Sequence, residues 1–364
     1  MMRWMRLTVL SCALFTASTL AGCRSAGEDV ASPADHWSSK DQSAMARDPM
    51  LPRRSLPKPV TRNEAVDLRQ AAVDLLLQAA DSTNPLLRAN AVEALQVDRD
   101  HIEAVVRVAL GDENRGVRFI AAMTVGQLRL DTIAHLAEPL LMDESDSVRA
   151  AAIYALRQCG RRPDRNPLAQ MIMSDDPEVK GNAALVLGEL GDSSAIPMLR
   201  EAVRTKMARA PVARVRIVDL QIAEAMVKLG AESELQVIRA ALFAPEEQGE
   251  IAVLACQLCG RLRDQTYAAT LLDMATRTGR SREPAEIRLA AAQALAQMQP
   301  SQLPLHVPLA YVDHQSWELR MQAATTLGWL GGPAAMEPLR VLLDDANPLV
   351  QVAAAGAVLR AAES

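Results

Sequence analysis

Residues 176–187 read DPEVKGNAALVL, and residues 84–95 read NPLLRANAVEAL. Both open on a short polar residue, follow it with proline, reach a branched residue and then a basic or small one, and run on into alanine and leucine. Taking that first branched residue as an anchor, the phrase recurs at Leu87, Val117, Val148, Val179, Val218, Ile251, Ile287, Leu319 and Val350, with spacings of 30, 31, 31, 39, 33, 36, 32 and 31 residues. A period of this size is the mark of a repeat array in which each unit is one supersecondary element.

Each position in the phrase has a physical task. Asn84, Asn114, Ser145, Asp176, Ser316 and Asn347 stand three residues before the anchor, where a short polar side chain caps the first free N–H groups of a helix. Pro85, Pro177 and Pro348 follow at the first helical position, where a missing N–H costs nothing. Apolar or small residues return at +4, +8 and +11, as in Val179, Ala183, Leu187 and Leu190, which is the buried stripe of a helix. Gly191, Gly230 and Gly331 stand where a helix ends. Shorter amphipathic segments at Ile102 to Ala109, Leu235 to Leu242 and Met336 to Leu343 supply the other helix of each pair. Neither helix can bury its apolar face alone, so stacking is obligatory. The expected class is all-α, an α-solenoid (superhelix) of about nine helix-pair repeats over residues 63–364. With aromatics at 3% and no period-two alternation, no sheet is expected.

From Thr61 to Ala362 the chain resembles short HEAT repeats of the phycobilisome-lyase type. In that family the basic residue after the anchor commonly pairs with acids in adjoining turns. The resemblance implies such a role for Arg88, Arg118, Arg149, Lys180, Arg288 and Arg320, with Asp112, Asp143, Asp175 and Asp344 as partners. Asp219, Ala252 and Gln351 depart from the pattern, so the ladder is expected to break in repeats five and six.

The N-terminus carries an address. Arg3 and Arg6 precede an apolar run from Leu7 to Leu20, too short to span a bilayer comfortably, so residues 1–22 read as a secretory signal. Leu20, Ala21, Gly22 and Cys23 resemble the lipobox of bacterial lipoproteins, which implies lipid attachment at the Cys23 thiol. Acyl chains contribute roughly 0.8 kcal/mol per buried CH₂, enough for stable anchoring when several are present. Arg24 stands where inner-membrane lipoproteins often carry aspartate, so the same resemblance favours the outer membrane, facing the periplasm. Residues 23–62 are rich in Ser, Ala and Pro, with Pro33, Pro49, Pro52, Pro57 and Pro59, and read as a mobile linker.

The formal charge of −5 becomes −7 once Arg3 and Arg6 leave with the signal. A net-negative body is a poor polyanion binder, so no nucleic acid is expected. No cofactor, metal or catalytic set emerges either. Cys256 and Cys259 invite a redox or metal reading, but they fall at positions held by Ala184 and Leu187 elsewhere, as Cys159 falls at a core position. His306, Asp313 and His314 lack a further converging ligand. The metal-dependent HEAT-type hydroxylases rely on His followed by Glu, whereas His101, His135, His306 and His314 precede Ile102, Leu136, Val307 and Gln315.

Two surfaces are candidates for binding. Positions +3, +6 and +10 lie away from the core stripe and should look toward the concave face, where solenoids grip partners. They include Asn90, Glu93, Ile120, Met123 and Gln127, and further on Tyr154, Gln158, Leu185 and Glu189. The alternative is that they pack between neighbouring second helices. Extra residues before Val218 and Ile287 carry a basic edge, with Arg204, Lys206 and Arg209, then Arg277, Arg280 and Arg282. That edge is either a seat for an anionic partner or a solvated loop face. The expected function is a lipid-anchored, non-enzymatic envelope scaffold or adaptor whose partner is another protein, with chromophore-lyase-like catalysis and a purely structural envelope role as alternatives.

Overall fold

The computed structural model describes residues 60–205 and 207–362. The signal, Cys23 and nearly all of the linker lie outside the described residues. The chain begins with α1 (Arg62–Ala80) and α2 (Pro85–Ala94), then α3 (Ile102–Ala109) and α4 (Arg115–Leu128). Two 3-10 turns, Ala134–Ala137 and Pro139–Met142, stand in for the first helix of repeat three and lead into α5 (Asp146–Gln158). Then come α6 (Asn166–Met171), α7 (Pro177–Leu190), α8 (Ile196–Arg204), α9 (Val212–Lys228), α10 (Leu235–Ala241) and α11 (Gly249–Arg261). The last three pairs are α12 (Ala268–Thr276) with α13 (Ala285–Met298), α14 (His306–Leu309) with α15 (Trp317–Leu330), and α16 (Pro333–Leu343) with α17 (Pro348–Ala361). Among the described residues there is no strand, and no helix is long and apolar enough to cross a membrane. The all-α solenoid of nine repeats is the observed architecture.

The helix starts follow the capping chemistry closely. Asn84, Asn114, Asp176, Ser316 and Asn347 each accept a hydrogen bond from a backbone N–H in the first turn. Ser145 makes no such bond and is the exception. Gly191 and Gly331 close their helices at φ +73° and +67°, a region costly for any residue with a Cβ.

The second helices α2, α4, α5, α7, α9, α11, α13, α15 and α17 stack side by side, each against the next. The stack does not end in free faces. α17 packs against both α1 and α2, and a Cβ added at Gly356 would sit 2.9 Å from the Ala94 Cβ. Residues from Leu68 to Leu229 share one apolar core with residues from Leu309 to Ala361. Arg340 on α16 helps hold the Glu64 carboxyl on α1 below its ordinary range, after the larger effect of Thr61 hydrogen bonds. The solenoid therefore closes on itself as a ring, and the first and last repeats cover each other where open arrays need capping repeats.

The basic residue after the anchor links adjacent repeats through one geometry. Arg118 donates to both Asp143 oxygens at 2.8 and 3.0 Å, and its remaining nitrogen donates to the Asp112 and Glu113 carbonyls of its own repeat. Arg88 treats Asp112 in the same way, and Arg320 treats Asp345. The acid stands two residues before the helix cap, where it also accepts the cap residue's own N–H: Asn114 to Asp112, Ser145 to Asp143 and Asn347 to Asp345. This register corrects two expected partners. Asp344 is one residue too early, so Asp345 takes the role. Asp175 is one residue too late, and Ser174 occupies the required place. Arg149 accordingly pairs with Asp146 of its own repeat. The buried Lys180 donates to the carbonyls of Ala202 and Thr205, and Arg288 to the Tyr311 hydroxyl. Arg118→Lys keeps the charge but loses the fork that spans two loops; unfolding in urea is expected to show a loss of about 1.5–3 kcal/mol.

Candidate functional site

At 100° per residue, the anchor stripe and the basic residue at +1 face the first helices, while positions −1, +3, +6 and +10 face the inside of the ring. The inner face is far less open than an arc of nine repeats suggests. Glu93, Ile120, Met123 and Tyr154 are all buried. Ring closure draws the second helices together, and these side chains fill the space between them. As accessible contact residues they are corrected to packing residues. Asn90 is half-buried and donates to the Leu86 carbonyl. Gln127, Gln158, Leu185 and Glu189 are half-buried and form the part of the expected inner strip that reaches solvent.

The +10 positions form one polar ladder around a mouth of the ring. Gln127 accepts from Gln96 at 3.2 Å, Gln158 donates to the Glu189 carbonyl at 3.2 Å, and Lys228 reaches Glu189 at 2.6 Å. Lys228 also pairs with Glu224 at 2.9 Å, and Arg261 grips both Glu224 oxygens at 2.9 and 2.8 Å. Burial alone would push the Glu224 carboxyl up, but Arg261 and Lys228 hold it down at about 2. Part of the sequence signal for this network was available: Glu189, Lys228 and Arg261 share the +10 register, one acid followed by two bases. At the other mouth, Arg115 of repeat two reaches Glu178 of repeat four at 3.0 Å, passing over repeat three. Burial pushes the Glu178 carboxyl up, opposed by Arg115.

The basic edge is less basic than its composition. Arg204, at the end of α8, and Arg209, on the loop before α9, are exposed, with Glu201 3.6 Å from Arg204. Arg277 is paired with Asp273 and lies 3.8 Å from Glu283. Arg282 is half-buried. Lys206 and the side chain of Arg280 lie outside the described residues.

Two of the cysteines occupy the core, and Cys159 is half-buried against it. Cys256 and Cys259 are buried in the apolar cluster of repeats six and seven, and burial pushes Cys259 up to about 12 and Cys256 well above its ordinary value. Such thiols are protonated and inert at neutral pH. Among the described residues no group of three or more His, Cys, Asp or Glu is placed to hold a metal ion.

Several solved structures match the chain at low similarity. Human deoxyhypusine hydroxylase in complex with glycerol is 16% identical, with 84% of this chain and 100% of that chain covered and a TM-score of 0.34. The complex of CpcE and CpcF of phycocyanin lyase from Nostoc sp. PCC7120 is 16% identical, with 80% and 97% covered and a TM-score of 0.31. The HEAT-like repeats protein from Thermococcus onnurineus NA1 is 11% identical, with 75% and 98% covered and a TM-score of 0.27. No curated protein matches the chain. The model of HEAT repeats matches residues 73–157, 133–217 and 278–359, which together take in 73–217 and 278–359 and so more than half of the chain, and the chain belongs to the HEAT-repeat family.

Proposed function

We propose that this chain is a non-catalytic adaptor of the bacterial envelope, tethered by lipid at Cys23 and binding another protein with its HEAT-repeat ring. HEAT repeats present a helical surface for protein–protein interaction, and that is the coarse reading supported by the family. The observation that carries the adaptor reading is the ladder at the +10 mouth, where Gln158, Glu189 and Lys228 are bonded in series and Gln127 stands in the same register, a half-exposed polar rim of both charge signs. A rim of this composition suits a protein surface better than a polyanion. The tether rests on the lipobox residues and the n-region charge, and Arg24 favours the outer membrane.

Two measurements test it. Metabolic labelling with an alkyne fatty acid should tag the wild type and not Cys23→Ser, and the variant should leave the membrane fraction. A photo-crosslinking residue at Gln158, with a second at Arg209, should capture one reproducible protein in cells. A labelled Cys23→Ser protein would remove the anchor; loss of any reproducible crosslinked protein would remove the adaptor.

A further inference from the structure

The inner face is satisfied on one side of the ring and left open on the other. In repeats one to five its polar groups find each other, the last of them with help from Arg261 of repeat six: Gln96 with Thr124, Asn182 with Ser147, Gln158 with the Glu189 carbonyl, and Glu224 with Lys228 and Arg261. Across α11, α13 and α15 the same register ends without partners. Gln257 Nε2, Gln293 Oε1, Gln297 Oε1 and Trp329 Nε1 are all buried atoms with no hydrogen-bond partner. Gln257 and Gln293 are only 4% and 2% exposed, at +6 of consecutive repeats. Gln297, on α13 with Gln293, and Trp329, on α15, are at +10 and half-buried at the mouth, so the open atoms form one strip from rim to interior. The Arg360 guanidinium covers the Trp329 ring at 4.4 Å and fixes the indole beside it.

The region that carries the open groups is distinct in other ways. Residues 217–307 hold a separate apolar core, and residues 218–277 fall outside the family match. Repeats five and six lack the basic residue at +1, with Asp219 and Ala252 in its place. Buried amide groups without partners are costly, so their concentration around this second apolar core, against which Trp329 also packs, points to a ligand that completes them.

We infer that Gln257, Gln293, Gln297 and Trp329 form a subsite that takes the main-chain amides of an extended polypeptide segment inserted at the +10 mouth. This rests on the adaptor reading and names the chemistry of the partner's contact. The four open atoms are two donors and two acceptors, and Glu286 Oε2 on α13 adds a further open acceptor; a set that mixes donors with acceptors is the complement of peptide groups rather than of a lone anion or cation. Neighbouring helices lie about 8–10 Å apart, and an extended chain rises about 3.3 Å per residue, so every third peptide group meets a new helix.

The test uses the full chain as bait and a random peptide library displayed on phage as probe. Peptides enriched on the wild type should bind Gln257→Leu/Gln293→Leu at least about tenfold more weakly, equivalent to about 1.4 kcal/mol. N-methylation of single peptide bonds in an enriched peptide should abolish binding at the contacted groups while its side chains are unchanged. The double variant should also melt higher than wild type, because it removes open buried amides. Gln297→Ala, at the half-exposed rim, repeats the binding test with little demand on folding. No enriched peptide, equal binding to the variants, or a lower melting temperature in a folded double variant would overturn the inference, the last because it would mean bound water completes the amides. Continued capture of the crosslinked protein at Gln158 in the double variant would leave the adaptor standing while this subsite falls.

Discussion

Arg261→Ala is expected to destabilise the ring by about 3 kcal/mol, read as a fall in the urea midpoint, because it removes the two-bond partner of a buried carboxylate and leaves Lys228 alone beside it. Glu224 lies on α9 and Arg261 on α11, at the junction where the apolar core is divided. Ile217, Leu220 and Ala223 belong to one core, while Val218, Ile222 and Met226 on the same helix belong to the other. The division runs along α9 itself, so the ion pair stands beside the seam between the two cores. Glu224→Leu with Arg261→Leu should recover much of the loss, since two apolar residues desolvate without penalty. Acid should act on the same bond. The Glu224 carboxyl titrates lower in the folded protein than in the unfolded chain, so its stabilisation is fully present above about pH 4.5 and is lost as pH falls toward about 2. Unfolding of the wild type across that window should be steeper than that of the double leucine variant. Identical acid profiles would mean the pair contributes nothing net.

How much of this was legible beforehand depends on the range of the interaction. Val179, Asp176 and Pro177 announce a helix start because capping and φ restriction act within one turn, and the described helices obey them. The ladder was legible in kind but slipped by one residue at Asp344, because the controlling bond joins the acid to the cap residue's N–H, and only that bond sets the register. Ring closure was not legible at all. It arises from a small rotation accumulated over nine repeats, to which no single residue attests. Tyr154 and Met123 then follow: on an open arc they would line a concave surface, and in the closed ring they fill it. The open amides of Gln257 and Gln293 look like ordinary polar residues at +6 in sequence. Only burial distinguishes them from Thr325, which stands at the same position, is half-buried and donates to the Met321 carbonyl.

Gly328→Val is expected to cost about 2–3 kcal/mol and to loosen the junction between repeats eight and nine, because the close helix contact there excludes any side chain. A Cβ at Gly328 would lie 2.7 Å from the Ala357 Cα, a backbone atom that cannot swing aside. The same arrangement recurs at every second junction. Gly126, Gly188 and Gly260 also stand at +9, facing Ala155, Ala225 and Ala294 at +7 of the following repeat, with added Cβ atoms 3.1, 2.9 and 2.8 Å from those Cα atoms. The intervening junctions carry larger residues at the same two positions, Gln96 with Thr124, Arg157 with Val186, and Val227 with Leu258. Their inner faces are bridged by polar groups instead, as where Asn182 donates to Ser147 and Gln322 to the Glu286 carbonyl. The ring is thus built from tightly joined pairs of repeats linked through polar seams. Hydrogen exchange should show the consequence: amides at the seams open at lower free energy than those within pairs. In Gly328→Val, protection should fall on both α15 and α17, while Val227→Ala, at the same register of a polar seam, should cost less than 1.5 kcal/mol. Equal costs at the two positions would show that the alternation has no energetic meaning.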